Sequence, residues 1–86
     1  MIAAFSVAPT VTNSATAEMS EAVSRAVRVV RESGLPHETT AMFTTIEGEW
    51  DEVMDVIKRA TQAVEEVSPR VSLVVKADIQ IGRAHV

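Results

Sequence analysis

The segment FTTIEGEWDEV at residues 43–53 changes from a strand-like run to a helical pattern within eleven positions. Its β-branched run TTI favours an extended chain. After Gly48, the acidic residues Asp51 and Glu52 occupy positions where the positive end of a helix dipole stabilises negative charge. The segment therefore predicts a strand that ends at Glu47 and a helix that starts just after Gly48.

Hydrophobic patterns on the N-terminal side of this segment predict another strand and another helix. The apolar run IAAFSVA at residues 2–8 is short and is followed by Pro9, which is typical of a buried strand. Residues 15–33 carry apolar side chains at spacings of three and four, which is one stripe of an amphipathic helix. Gly34 is suited to the C-cap of that helix, and Pro36 prevents its continuation.

The remaining elements follow from the same reasoning. Residues 37–48 are rich in threonine and predict two short strands that fold back near Ala41 and Met42. The helix after Gly48 has an apolar stripe formed by Val53, Val56, Ile57, Ala60, Val64 and Val67. Residues 70–79 alternate apolar and polar side chains, which predicts a final strand with one buried face.

The order strand, helix, strand, strand, helix, strand predicts an α+β fold, a ferredoxin-like βαββαβ sandwich with both helices on one face of an antiparallel sheet. Right-handed crossovers predict the spatial strand order 4-1-3-2, with strands one and three as parallel neighbours that finish at the same edge. We expect the helix-covered face to carry Ala3, Phe5, Val7, Met42, Thr44, Ile46, Val71, Leu73 and Val75. We expect the opposite face to carry Ala4, Ser6, Thr45, Glu47, Ser72, Val74 and Lys76.

The second face of the sheet is too apolar to be left in contact with water. Ile2, Ala4, Phe43 and Val74 would be exposed on it, and a patch of this kind usually marks an interaction surface. A domain of 86 residues also buries only ~60% of its unfolded surface. We therefore expect association of the chain with itself through the sheet.

Composition excludes several classes of function. The chain contains no cysteine, so disulfides and thiolate metal sites are absent. Its formal net charge of -4 and its pI of about 5.0 make nucleic acid an unexpected partner. The N-terminal apolar run lacks a basic region and is interrupted by Pro9, so neither a signal peptide nor a membrane span is expected. We expect a cytoplasmic protein.

The last residues are expected to be foreign to the domain. IGRAHV at residues 81–86 is the in-frame translation of a widely used sequencing adapter, and Gln80 fits the codon at the junction. The alternative is a genuine polar tail. We therefore expect a single domain over residues 1–79 that is truncated at its C-terminus, and we assign no function to residues 80–86.

Parallel first and third strands would bring several polar side chains to one sheet edge. Ser6 would lie beside Thr45 and Glu47, and the Trp50 ring would form a wall of the same hollow. A carboxylate among hydroxyl groups suits a cationic or amidine-like ligand, since it accepts two parallel N–H bonds, and an indole suits a flat ring. The alternative is structural, with Glu47 capping the helix and Trp50 packing on Met54.

The chain resembles the family of small thiamine-binding proteins, formerly a domain of unknown function. The resemblance is carried by residues 33–60, which contain TTIEGEWDEVM, together with AFSVAPT at residues 4–10 and VSLVVKADI at residues 71–79. It implies a ferredoxin-like sandwich that assembles into a homodimer or homotetramer. It also implies binding of thiamine or its hydroxymethylpyrimidine moiety without transforming it, and the candidate ligand-binding residues are Ser6, Thr45, Glu47 and Trp50.

These candidate residues make the hypothesis testable, because Glu47→Gln would remove a charge-assisted bond and weaken thiamine binding about tenfold or more.

No catalytic residue and no cofactor are expected. His37 stands at a strand start, remote from the predicted site, and is interpreted as a solvated surface residue. The alternative function is an oligomeric regulatory or assembly module that senses another small metabolite.

Overall fold

Six elements follow one another in the predicted order. The structure, a computed structural model, describes residues 1–10, 15–40 and 42–79, and for residues 15–19 it describes the main chain alone. The elements are β1 (Ile2–Pro9), α1 (Ala15–Ser33), β2 (His37–Thr39), β3 (Thr44–Glu47), α2 (Trp50–Glu65) and β4 (Val71–Asp78). The turn residue Ala41 and the tail at residues 80–86 lie outside the described residues.

The four strands form one sheet in the order β2-β3-β1-β4, which is the predicted order 4-1-3-2 read from the other edge. The predicted parallel pairing of strands one and three is wrong. β1 and β3 are antiparallel, with Ile2 opposite Glu47 and Phe5 opposite Thr44. The crossover through α1 makes β1 parallel to β2, and β3 lies between them and pairs with β2 as a hairpin, which reverses its direction.

The strand register confirms which residues share each face. Ala3 pairs with Ile46 and with Ala77, and these residues lie on the side of the helices. The other side, called the open face below, carries Ile2, Ala4, Ser6, Thr45, Glu47, Ser72, Val74 and Lys76. The predicted buried face of β4 is wrong, because its helix-side residues Leu73 and Val75 remain 42% and 38% exposed. The helices cover β1 and β3 better than this edge strand.

The core lies between the helices and the central strands. It is an apolar cluster of Ala3, Phe5, Val30, Ile46, Val53, Val56, Ile57 and Ala60, each at most 3% exposed. Five of the six residues of the predicted α2 stripe are buried, and Val67 is half-buried. At the end of α1, Gly34 has φ 79°, a left-handed conformation that suits glycine, as predicted for the C-cap.

Gly48 and Glu49 connect β3 to α2, and each has a structural role there. Gly48 extends the pairing of β1 with β3, because its N–H donates to the Met1 carbonyl at 3.1 Å. A Cβ on Gly48 would come within 3.3 Å of the Leu35 side chain, so glycine permits this close packing. The N-cap is Glu49, whose N–H donates to the Glu52 carboxylate at 3.1 Å. The cap is therefore Glu49 and not Glu47.

The part of the chain that the structure describes contains neither a membrane-spanning helix nor a metal-binding group of side chains. Neither helix is long and apolar enough to cross a membrane. In the same residues, His, Asp and Glu side chains form no group of three or more that could hold a metal ion.

Candidate functional site

The four residues proposed from the sequence do not surround one hollow. Because β1 and β3 are antiparallel, Glu47 lies opposite Ile2, at the start of β1. Ser6 is four residues further along β1, which corresponds to about 13 Å at the rise of an extended chain. Because the two strands are antiparallel, the C-terminal end of strand one and the C-terminal end of strand three lie at opposite ends of the sheet. The pocket predicted between them is not formed.

The predicted residues at the Glu47 end lie on or near the surface. Thr45 is half-buried on the open face and Glu47 is exposed, and both border a shallow depression of about 230 Å³ beside His37 and Glu38. Trp50 is the first residue of α2, is 53% exposed and borders no part of this depression. A ligand-binding role for Ser6, Thr45, Glu47 and Trp50 stays a prediction.

At the other end of the sheet, β1 continues beyond β3 and leaves a gap beside its last residues. β1 has eight residues and β3 has four. The ladder between them ends at the pair Phe5–Thr44, whereas the ladder between β1 and β4 continues to Pro9. The last residues of β1 therefore face β4 on one side, and on the other side no strand among the described residues pairs with them.

The hydrogen bonds at the two ends of β1 show which main-chain groups face this gap. Thr10 donates its N–H to the Arg70 carbonyl on the β4 side, whereas Met1 exchanges hydrogen bonds with Gly48 on the β3 side. Successive residues of a strand alternate in this respect. The odd-numbered residues of β1 thus point their N–H and C=O groups toward β3, and beyond Phe5 the next of them is Val7.

Val7 consequently presents both main-chain groups to the gap. In the part of the chain that the structure describes, neither group has a hydrogen bond outside the ladders, and Val7 and Leu73 form a pair that does not exchange hydrogen bonds. Pro9 points the same way but has no N–H to offer. At Val7 the gap therefore offers one donor and one acceptor side by side, and the Pro9 carbonyl adds a second acceptor two residues further along β1.

A cavity of about 190 Å³ lies at this gap and is called the Val7 cavity. It is bordered by the end of β1, by one side of α1 and by residues 39–40 and 42–44. Its lining residues are Phe5, Ser6, Val7, Ala8, Val23, Ala26, Val27, Thr39, Thr40, Met42, Phe43 and Thr44. Because Ser6 belongs to the open face, its main chain and not its hydroxyl borders the cavity.

The hydroxyl groups around the Val7 cavity differ in their freedom to bind a ligand. The Thr40 hydroxyl donates to the Phe43 carbonyl at 3.0 Å and accepts from the Phe43 N–H at 3.2 Å, so it serves the turn. Thr44 lies on the helix side of β3 and is half-buried, and its hydroxyl makes no hydrogen bond within the described residues. Thr44 is therefore the side chain best placed to contact a polar ligand atom.

Sequence reasoning missed this cavity although one signal was present. The run IAAFSVAP is twice as long as the strand TTIE that pairs with it. Unequal neighbours in a sheet leave main-chain groups without a strand partner. The α1 residue Val23 belongs to the apolar stripe of residues 15–33, yet it is 49% exposed and borders the cavity.

Comparisons with known proteins match this chain to a family and to curated relatives. The sequence model of the family described as thiamine-binding protein matches residues 3–85. A curated UPF0045 protein of Mycobacterium bovis is 49% identical over 83 residues, which is 95% of this chain and 78% of that protein. A UPF0045 protein of Mycobacterium tuberculosis matches with the same values.

Solved structures show the same fold. The domain of unknown function DUF77 from Bacillus cereus superimposes with a TM-score of 0.86 at 32% identity, covering 99% of this chain and 80% of that one. A Thermotoga maritima protein, described as a "putative thiamine biosynthesis/salvage protein", gives a TM-score of 0.81 at 26% identity and covers 99% of this chain and 88% of its own.

Proposed function

The chain belongs to the thiamine-binding protein family, and from this membership we propose that it is a non-catalytic, cytoplasmic protein that binds thiamine or its hydroxymethylpyrimidine moiety in the Val7 cavity. The observation that carries the location is the open donor and acceptor pair of Val7 inside an apolar recess. A site of this kind combines apolar walls with a few fixed polar groups, as small-molecule sites do.

The size of the cavity supports enclosure of one ring. Its volume of about 190 Å³ is below the range of roughly 300–1,000 Å³ that is usual for drug-sized ligands. Thiamine has two rings joined by a methylene bridge, and its pyrimidine is the ring with an exocyclic amine. We propose that the pyrimidine enters the cavity and the thiazolium remains outside, close to the exposed turn residues Met42 and Phe43.

The chemistry of the lining supports binding without catalysis. General acid–base catalysis requires a titratable group within hydrogen-bond reach of the reacting atoms. The cavity is lined by apolar side chains, three threonines, one serine and main chain. His37 lies at the opposite end of the sheet, with its Nδ1 2.9 Å from the Leu35 carbonyl oxygen.

Titration of the protein with thiamine tests the proposed function. We expect saturable binding by isothermal titration calorimetry. The midpoint temperature of thermal unfolding should rise by roughly 10–20 °C at ligand concentrations near 100 times Kd, since binding of that strength adds ~2.7 kcal/mol to the stability of the folded state. The contrary outcome is that thiamine gives no heat of binding and no change in the unfolding temperature, while a different metabolite raises that temperature. This result would support the alternative of a module that senses another ligand.

We also propose that the protein associates with itself through the open face. Ile2 and Val74 are 45% and 53% exposed there and lie on adjacent strands. The same face carries Lys76 and the carboxylates of Glu38, Glu47 and Asp78, so opposite charges can pair between two copies of the face. Burial of apolar area at ~25 cal/mol per Å² would then stabilise a homodimer or homotetramer.

Analytical ultracentrifugation checks this association. We expect the parent protein to sediment as a dimer or larger assembly at micromolar concentration. Val74→Lys should shift it to monomer, because a second copy would then have to desolvate an added charge. A matched control is Lys58→Glu, which alters an exposed position on α2 and should leave the assembly unchanged. A parent protein that stays monomeric would contradict the proposal.

A further inference from the structure

The main chain of Val7 determines which edge of a ring the cavity can accept. In an extended residue, the N–H and the C=O point to the same side of the strand and lie next to each other. They present one donor beside one acceptor in a fixed order. A heterocycle with a ring nitrogen next to an exocyclic amine presents the complementary order, because the ring nitrogen accepts and the amine donates.

We propose that the Val7 main chain recognises the amidine-like edge of a 4-aminopyrimidine. The Val7 N–H donates to the ring nitrogen, and the Val7 carbonyl accepts from the exocyclic amine. This inference rests on the proposed function and adds the atoms that select the ligand. The bound ring continues the exchange of hydrogen bonds that Phe5 makes with Thr44 one pair earlier in the ladder, at the place where β3 has stopped.

The apolar surroundings make this recognition selective. Phe5, Ala26 and Val27 border the cavity from the core side and from α1, and they offer no hydrogen bonds to a mismatched ligand. A polar group buried there without a partner costs about 1–3 kcal/mol. A ligand with the wrong order of donor and acceptor would lose two bonds and leave two main-chain groups and two ring atoms unpaired.

The selectivity should also be independent of nearby side chains. The two recognising groups belong to the backbone of a central strand, whose position is fixed by the ladder to β4. A substitution at Thr44 can add or remove a third polar contact, but it cannot reverse the order of the Val7 groups. Selection between ring edges is thus a property of the sheet.

A pair of matched pyrimidines tests the inference by calorimetry. One is 4-amino-5-hydroxymethyl-2-methylpyrimidine, and the other is its 4-oxo analogue, which has the same ring and the same remaining substituents. The oxo compound carries a carbonyl in place of the amine and an N–H in place of the ring acceptor. We expect its affinity to be at least about 100-fold lower, since both bonds are replaced by repulsive contacts.

Nuclear magnetic resonance gives a second measurement that addresses Val7 itself. On addition of the amino compound, the Val7 amide proton should move downfield and exchange more slowly with water. The amide of Ala4 is the matched control, because it points toward Lys76 of β4, does not border the cavity and should change little.

The outcomes separate this inference from the proposed function. Equal affinity for the two pyrimidines, or tight binding that leaves the Val7 amide unchanged, would overturn the inference while thiamine binding stands. Binding of thiamine without binding of the amino pyrimidine would overturn it as well. Failure of thiamine and of both pyrimidines to bind would contradict the proposed function too.

Discussion

Val23→Trp is expected to weaken thiamine binding by at least about 30-fold, or about 2 kcal/mol. Val23 lies on α1, borders the Val7 cavity and is 49% exposed. An indole at this position can occupy the mouth of the cavity without entering the packed core, so ligand access is lost while the fold is kept. Isothermal titration calorimetry measures the affinity, and far-ultraviolet circular dichroism verifies the helices.

Ser24→Trp is the matched control for this substitution. Ser24 is the next residue of α1, is exposed and does not border the cavity. The same indole there should leave the affinity for thiamine within about twofold, because it points away from the proposed site. If both tryptophan variants bound thiamine as the parent does, the ligand would lie elsewhere.

The same titrations test the hypothesis that was based on sequence. Glu47→Gln lies at the far end of the sheet from the Val7 cavity. A loss of about tenfold or more in this variant, with Val23→Trp unaffected, would place the ligand beside Glu47, where a charge-assisted bond is available. The reverse pattern supports the Val7 cavity.

Ile46→Ala is expected to lower the free energy of unfolding by about 2–5 kcal/mol, because it leaves a cavity in the core as well as removing buried methyl groups. Ile46 is 1% exposed and belongs to the cluster between β1 and α2. For a domain whose total stability is roughly 5–15 kcal/mol, this is a large share. Urea unfolding followed by circular dichroism measures it.

Ile79→Ala provides the comparison at an exposed site. Ile79 follows β4 and is 48% exposed, so the same loss of methyl groups should cost less than about 1 kcal/mol. Both proteins should be compared at low concentration, so that self-association does not add to the measured stability. Equal losses for the two variants would show that Ile46 is not part of a close-packed core.

The order of elements and the faces of the sheet could be predicted because each depends on local periodicity. Spacings of three and four marked α1 over Ala15–Ser33, and alternation marked β4, whose observed bounds are Val71–Asp78. The predicted direction of β3 relative to β1 was wrong, although the predicted elements were sufficient to fix it. The crossover through α1 makes β2 parallel to β1, and the hairpin between β2 and β3 then requires β3 to run antiparallel to β1.

The candidate site was harder to predict than the fold. Glu47 and Trp50 suggest a binding site because they are a carboxylate and an aromatic ring. Both are exposed, and they are the last residue of β3 and the first residue of α2. The groups that we assign to recognition are main-chain atoms of Val7, which every residue except proline possesses. What makes them available is the difference in length between β1 and β3, and that difference appears only when the strands are aligned.

The outer edge of β4 has a consequence for handling the protein. This strand is exposed on both sides at Leu73, Val74 and Val75, and its free edge leaves main-chain groups without a strand partner among the described residues. An exposed edge strand with apolar side chains on both faces is a template for non-native pairing. In a concentrated solution, aggregation through the edge of β4 therefore limits how long the sample stays native, unless another molecule covers that edge.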